Sequence, residues 1–131
     1  MTASSKQGPE SSLAGMRILI VEDEMMVAML LEDMLADLGC DVIKAGRVAK
    51  AVQFVARTEL DGAILDINVA GEPVYPVANA LQARGIPFIF SSGYGAGGVA
   101  PEYRDRPTLS KPFQQEELAP MLAAAMERAR H

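Results

Sequence analysis

The sequence has one cysteine, Cys40, and one histidine, His131, among 131 residues. A lone cysteine excludes an internal disulfide and a cysteine-based metal site, and it fits a reducing cytoplasm. Its place after Gly39 reads as a half-buried thiol. The single histidine is the last residue, so no helix carries the internal histidine that a phosphohistidine donor needs. Basic residues are also scarce: 12 Lys and Arg against 17 Asp and Glu leave a net charge of -5. That sign is wrong for holding a phosphate backbone, which excludes nucleic acid as a direct partner. No stretch reaches the roughly 18 uninterrupted apolar residues of a membrane span. Residues 1–15 are too polar for a secretory signal and read as a disordered leader. No membrane partner is expected, and the expected location is cytoplasmic.

A hydrophobic fraction of 50% fills one core, so residues 16–131 are expected to form one domain. The pattern alternates strand and helix. Strands are expected over Met16–Val21, Asp41–Ala45, Gly62–Asp66, Pro87–Ser91 and Thr108–Ser110. Helices are expected over Glu24–Leu38, Val48–Arg57, Val74–Ala83 and Phe113–Arg130. Pro76 fits the first turn of its helix, whereas Pro120 should bend or shorten the start of the last one. Between Gly93 and Pro107, glycines and prolines leave room only for a short, weak helix near Val99–Arg104. Five strands joined by helical crossovers imply an α/β fold with a doubly wound parallel sheet, covered on both faces.

Chemistry gathers at the carboxyl ends of strands in such sheets. Glu22 and Asp23 close the first strand, Asp66 the third, Ser91 and Ser92 the fourth, and Lys111 the fifth. Three neighbouring carboxylates repel one another unless a cation sits among them. Oxygen donors alone suit Mg²⁺, with Glu22, Asp23, Asp66 and the Asn68 carbonyl as ligands. Asp66 would act as nucleophile toward phosphorus, while Lys111 and the Ser92 hydroxyl hold phosphoryl oxygens. Each piece alone has a plainer reading, such as a helix-start acid, a turn serine or a solvated lysine. Their convergence on one end of the sheet carries the inference.

Val21-Glu22-Asp23-Glu24, Leu65-Asp66-Ile67-Asn68, the hydroxyl after the fourth strand and Ser110-Lys111-Pro112-Phe113 together resemble the receiver domains of bacterial two-component response regulators. The resemblance covers about residues 16 to 130. It implies a flavodoxin-like fold with strand order 2-1-3-4-5, Mg²⁺ at the acid pair, and phosphorylation of Asp66 by a sensor histidine kinase, directly or through a histidine phosphotransferase. Pro87-Phe88-Ile89-Phe90-Ser91-Ser92-Gly93-Tyr94 further resembles the Pro-Phe-x-Phe-Ala-Thr-Gly-Gly/Tyr signature of the single-domain "FAT GUY" receivers of Alphaproteobacteria. Serines stand here where Ala and Thr are usual, so Ser92 supplies the hydroxyl. Thr108 occupies the position where ordinary receivers carry an aromatic switch residue, and Tyr94 is a candidate substitute. Segment 93–98 and the weak helix after it are expected to order on phosphorylation.

The expected protein is therefore a stand-alone, phospho-accepting switch rather than an enzyme, signalling by contact with a downstream protein. An adaptor of the same fold that does not use the chemistry is one alternative. A Mg²⁺-dependent phosphatase with an aspartyl-phosphate intermediate is another, disfavoured because Asn68 stands where a second acid would be needed. Gly93-Tyr94-Gly95-Ala96-Gly97-Gly98 satisfies a dinucleotide-binding glycine pattern, but it follows the fourth strand and opens no strong helix.

Overall fold

A computed structural model describes residues 13–93 and 98–129. In chain order the elements are β1 (Arg17–Val21), α1 (Met25–Asp37), β2 (Asp41–Ala45), α2 (Val48–Arg57), β3 (Gly62–Asp66), β4 (Asn68–Val69), β5 (Glu72–Pro73), α3 (Tyr75–Ala83), β6 (Phe88–Ser92), β7 (Thr108–Ser110) and α4 (Gln115–Ala129). The main sheet is parallel throughout, in the order β2-β1-β3-β6-β7. Counted over its five long-range strands, this is the expected doubly wound order.

Alternation along each strand splits the core in two. Leu19, Val21, Ala63, Leu65, Phe88 and Phe90 face α2 and α3, which contribute Val48, Ala51, Val55, Val77, Ala78 and Leu81. Ile18, Ile20, Ile64 and Ile89 face the other way, toward Leu31 and Leu35 of α1 and Leu118, Leu122 and Met126 of α4. A strand buried on both sides must be apolar at every position, which explains the unbroken run Ile18-Leu19-Ile20-Val21.

Helix ends follow the glycines. Gly39, at φ +85°, donates to the Ala36 carbonyl, and the Cys40 N–H bonds the Leu35 carbonyl. Gly85, at φ +71°, and Ile86 repeat the arrangement on Gln82 and Leu81. α4 begins at Gln115 rather than Phe113 because Gln114 caps it, its N–H donating to Glu117 Oε1 at 3.0 Å. The helix nevertheless continues through Pro120.

Three features depart from the expected outline. Leu13, assigned to the leader, is buried to 1% exposure among the side chains of α1 and α4, so the folded body begins no later than residue 13. Gly15 N–H ties this turn to the Gly39 carbonyl at 2.8 Å, and a Cβ on Gly39 would meet Ala14 at 3.3 Å. An unforeseen hairpin, β4–β5, follows β3. Its two turn residues, Ala70 at φ 52° and Gly71 at φ 83°, both take the left-handed backbone of a tight hairpin turn. Where a weak helix was expected over 99–104, the chain makes a single 3-10 turn, Pro101–Tyr103.

Candidate functional site

The parallel register brings the acids together. β1 lies between β2 and β3, pairing Val21 with Leu65, so the turn after β1 starts beside the end of β3. Glu22, Asp23 and Asp66 each present a carboxylate oxygen within 4.8 Å of the others'. β6 pairs Ser91 with Asp66 on one side and Ser92 with Ser110 on the other, which carries Lys111 to the same edge. The Lys111 N–H donates to the Ser92 carbonyl at 2.9 Å, fixing the lysine backbone at the strand ends. The Lys111–Pro112 peptide is cis.

The Lys111 ammonium donates to Glu22 Oε1 at 3.1 Å and stands 3.6 Å from Asp66 Oδ2. Glu22 is almost fully buried, and its second oxygen accepts the Glu24 N–H at 3.0 Å. Asp23 is exposed. Asp66, Asn68, Ser92 and Lys111 line one cavity of about 640 Å³, together with Glu24, Ile67, Gly93 and Gly98. Two smaller depressions of about 310 Å³ each open around Gly85, Ile86 and Pro87 at the opposite ends of the strands and include none of these residues.

Burial pushes the carboxyls of Glu22 and Asp66 above their ordinary range, against the opposing pull of Lys111. The charge of Asp66 adds to the rise at Glu22. Burial acts in the opposite direction on Lys111, but the Glu22 hydrogen bond and the charges of Asp66 and Glu22 outweigh it, leaving that ammonium harder to deprotonate. One cation thus offsets only part of the mutual repulsion of three acids.

Six of the residues singled out from the sequence meet at this one edge: Glu22, Asp23, Asp66, Asn68, Ser92 and Lys111. Ser91 does not line the cavity. Its hydroxyl is buried with no hydrogen-bond partner among the described residues. Glu24 was not singled out, although it stands in the same acidic stretch. It lines the cavity and orients Glu22 through its backbone. Thr108 pairs with Phe90 in the sheet and places no ring there, while Tyr94 lies outside the described residues.

Residues 18–123 match the model of the response regulator receiver domain. The phyllosphere-induced regulator PhyR of Methylorubrum extorquens is 32% identical over 115 residues, covering 83% of this chain and 43% of PhyR. This chain spans about half the length of the curated relatives it matches, between 43% and 58%. The solution structure of SdrG from Sphingomonas melonis Fr1 superposes with a TM-score of 0.76 at 42% identity, over 86% of this chain and 97% of SdrG. The receiver domain of the sensor histidine kinase PA1611 from Pseudomonas aeruginosa, solved with a magnesium ion coordinated in its active-site cleft, gives 0.72 at 26% identity over 87% of this chain and 99% of that one. With most of its length matched, sheet order included, the chain belongs to the response regulator receiver domain family.

Proposed function

We propose that this receiver accepts a phosphoryl group on Asp66 in a Mg²⁺-dependent reaction. The observation that carries the proposal is the meeting of the Glu22, Asp23 and Asp66 carboxylates within 4.8 Å, with the Lys111 ammonium 3.6 Å from Asp66. Three carboxylates with burial-raised protonation at two of them, and no nitrogen or sulfur donor in the cluster, fit a hard divalent cation. The magnesium ion in the cleft of the PA1611 receiver supports the same choice. Glu22, Asp23, Asp66 and the carbonyl of Asn68 would hold it. When bound, it neutralises the acids and draws charge from phosphoryl oxygens.

The residues divide the remaining work. An Asp66 carboxylate oxygen forms a bond to phosphorus as the bond from phosphorus to the donor's histidine nitrogen breaks; the electron pair leaves with the imidazole, which takes up a proton. Lys111, held by Glu22, faces one developing oxygen charge, and the Ser92 hydroxyl faces another. The Lys111 N–H donates to the Ser92 carbonyl, which ties the two backbones together at the strand ends and supports a joint role for these residues. The donor is a sensor histidine kinase or a histidine phosphotransferase. Output is contact with a downstream protein, in the cytoplasm; no helix among the described residues is long and apolar enough to cross a membrane. Asn68, two positions after Asp66, cannot act as general acid and base, which disfavours a phosphatase.

Incubation with acetyl phosphate and Mg²⁺ followed by intact-mass measurement tests the proposal. Wild type should gain one phosphoryl group and Asp66→Ala none. Equal masses before and after treatment of wild type would instead favour an adaptor that keeps the fold without the chemistry.

A further inference from the structure

Thr108 leaves the usual ring position on β7 without an aromatic, yet the same side of the sheet holds a four-ring cluster. Tyr103, at the end of the 3-10 turn, is buried and stacks on Tyr75 of α3 with centroids 5.7 Å apart and planes within 2°. It meets Phe88 and Phe90 of β6 edge-on, each at 5.9 Å, and Tyr75 also meets Phe90 at 6.2 Å. Polar bonds fasten both tyrosines across the gap between α3 and the 3-10 turn. The Tyr103 hydroxyl donates to Asn79 Oδ1, and the Tyr75 hydroxyl accepts the Ala100 N–H at 2.7 Å.

Beyond these rings, segment 98–104 is held by Val99, whose side chain is buried in the same core, and by bonds within the segment: Tyr103 N–H to the Ala100 carbonyl, Arg104 N–H to that of Pro101 and Arg104 Nε to that of Val99. Gly98, at its start, lines the cavity that holds Asp66. Phe90 stands two residues before Ser92 on β6 and points to the same side. A shift of Ser92 toward or away from Asp66 therefore moves the strand that carries the ring against which both tyrosines rest. Close-packed rings offer discrete arrangements rather than a continuous slide.

We infer that the Tyr75–Tyr103 stack, pinned by Asn79, is the two-state element that couples occupancy of Asp66 to the position of segment 98–104, in place of an aromatic at residue 108. Tyr75, Asn79 and Tyr103 act as positioning residues and touch no phosphoryl oxygen. The inference rests on the phosphoryl-accepting reading of Asp66, and its test separates the two.

Beryllofluoride with Mg²⁺ is the probe. Fluorine NMR reports its occupancy of the site, and amide exchange reports segment 98–104. In wild type, occupancy should produce a bound fluorine signal and change exchange across 98–104 by about tenfold or more. Tyr103→Phe keeps the ring and removes only the bond to Asn79; Asn79→Ala removes the same bond from the other side. Both should retain the bound fluorine signal while the exchange response falls to about twofold or less. A purely structural role would instead raise exchange equally with and without the probe. That pattern, or a wild-type-sized response in Tyr103→Phe, overturns the inference, as does a wild type that shows the bound signal with no response. Absence of the bound signal in wild type overturns the phosphoryl-accepting reading and this coupling together. Should Asn79→Ala fail to fold, Tyr103→Phe decides alone.

Discussion

Lys111 and Glu22 are 89 positions apart in sequence, and the lysine ammonium donates to the buried glutamate at 3.1 Å. The pair joins the first strand's end to the fifth's, beside the cavity that Lys111 and Asp66 line. One carboxylate is thereby matched by the lysine, while Asp23 and Asp66 are left to share what remains of its charge.

Removing that charge should be felt most strongly without a cation. In metal-free protein, Lys111→Met leaves Glu22 and Asp66 with desolvated charge and no counter-ion, and the expected loss of stability is about 1–3 kcal/mol, moderated because the lysine is 21% exposed. Urea denaturation with and without Mg²⁺ checks this. The variant should gain more from Mg²⁺ than wild type does.

Asp66 supplies a pH test with a defined sign. Burial holds its carboxyl above the ordinary 3.8, with Lys111 opposing. A group whose folded pKa is raised contributes stability at pH below its unfolded value and loses that contribution as pH rises through the folded one. Metal-free Asp66→Asn should therefore be more stable than wild type at pH 7, and the difference should shrink as pH falls through the folded value and vanish below the unfolded one. Thermal unfolding in the presence of a chelator reads both values. Mg²⁺ should stabilise wild type and leave Asp66→Asn nearly unchanged.

Adjacent serines should respond in opposite ways. The Ser91 hydroxyl is buried with no partner among the described residues, so Ser91→Ala should stabilise the fold by about 1 kcal/mol and leave phosphoryl uptake unaltered. Ser92 lines the cavity, and Ser92→Ala should slow uptake from acetyl phosphate by about 10- to 100-fold. Stopped-flow or quenched mass measurements on both variants make the comparison.

Cys40 should be a slow thiol. Burial, with Asp41 beside it, raises its pKa to about 11, and its Sγ donates to the Leu13 carbonyl at 3.3 Å. Alkylation by iodoacetamide should lag a free cysteine at pH 8 and accelerate only as pH approaches 11. Trimming the chain to begin after Gly15 removes the Leu13 carbonyl and should speed the reaction.

The site was legible from sequence where an apolar run stops on a charged or hydroxyl residue. Gly62–Asp66 shows this most clearly, because a strand buried on both faces has no polar residue until it leaves the sheet. The lack of a full helix over residues 99–104 was also visible, since glycine and proline disfavour helix whatever surrounds them. Leu13 was not, because one leucine among serines and glycines gives no periodic signal and only the fold shows the gap it fills. The β4–β5 hairpin escaped for a different reason: Ala70 takes a left-handed backbone usually marked by asparagine or glycine. Nor could sequence reveal the Tyr75–Tyr103 stack, which joins residues 28 positions apart through the packing of α3 against the 3-10 turn.

Locating the phosphoryl group tests the account most directly. Wild-type protein treated with acetyl phosphate in Mg²⁺ or in chelator, then digested and mapped by mass spectrometry, should carry phosphate on the peptide containing Asp66, and only in the Mg²⁺ sample. Equal labelling with and without the cation, or labelling of another carboxylate while Asp66 stays unmodified, would contradict it.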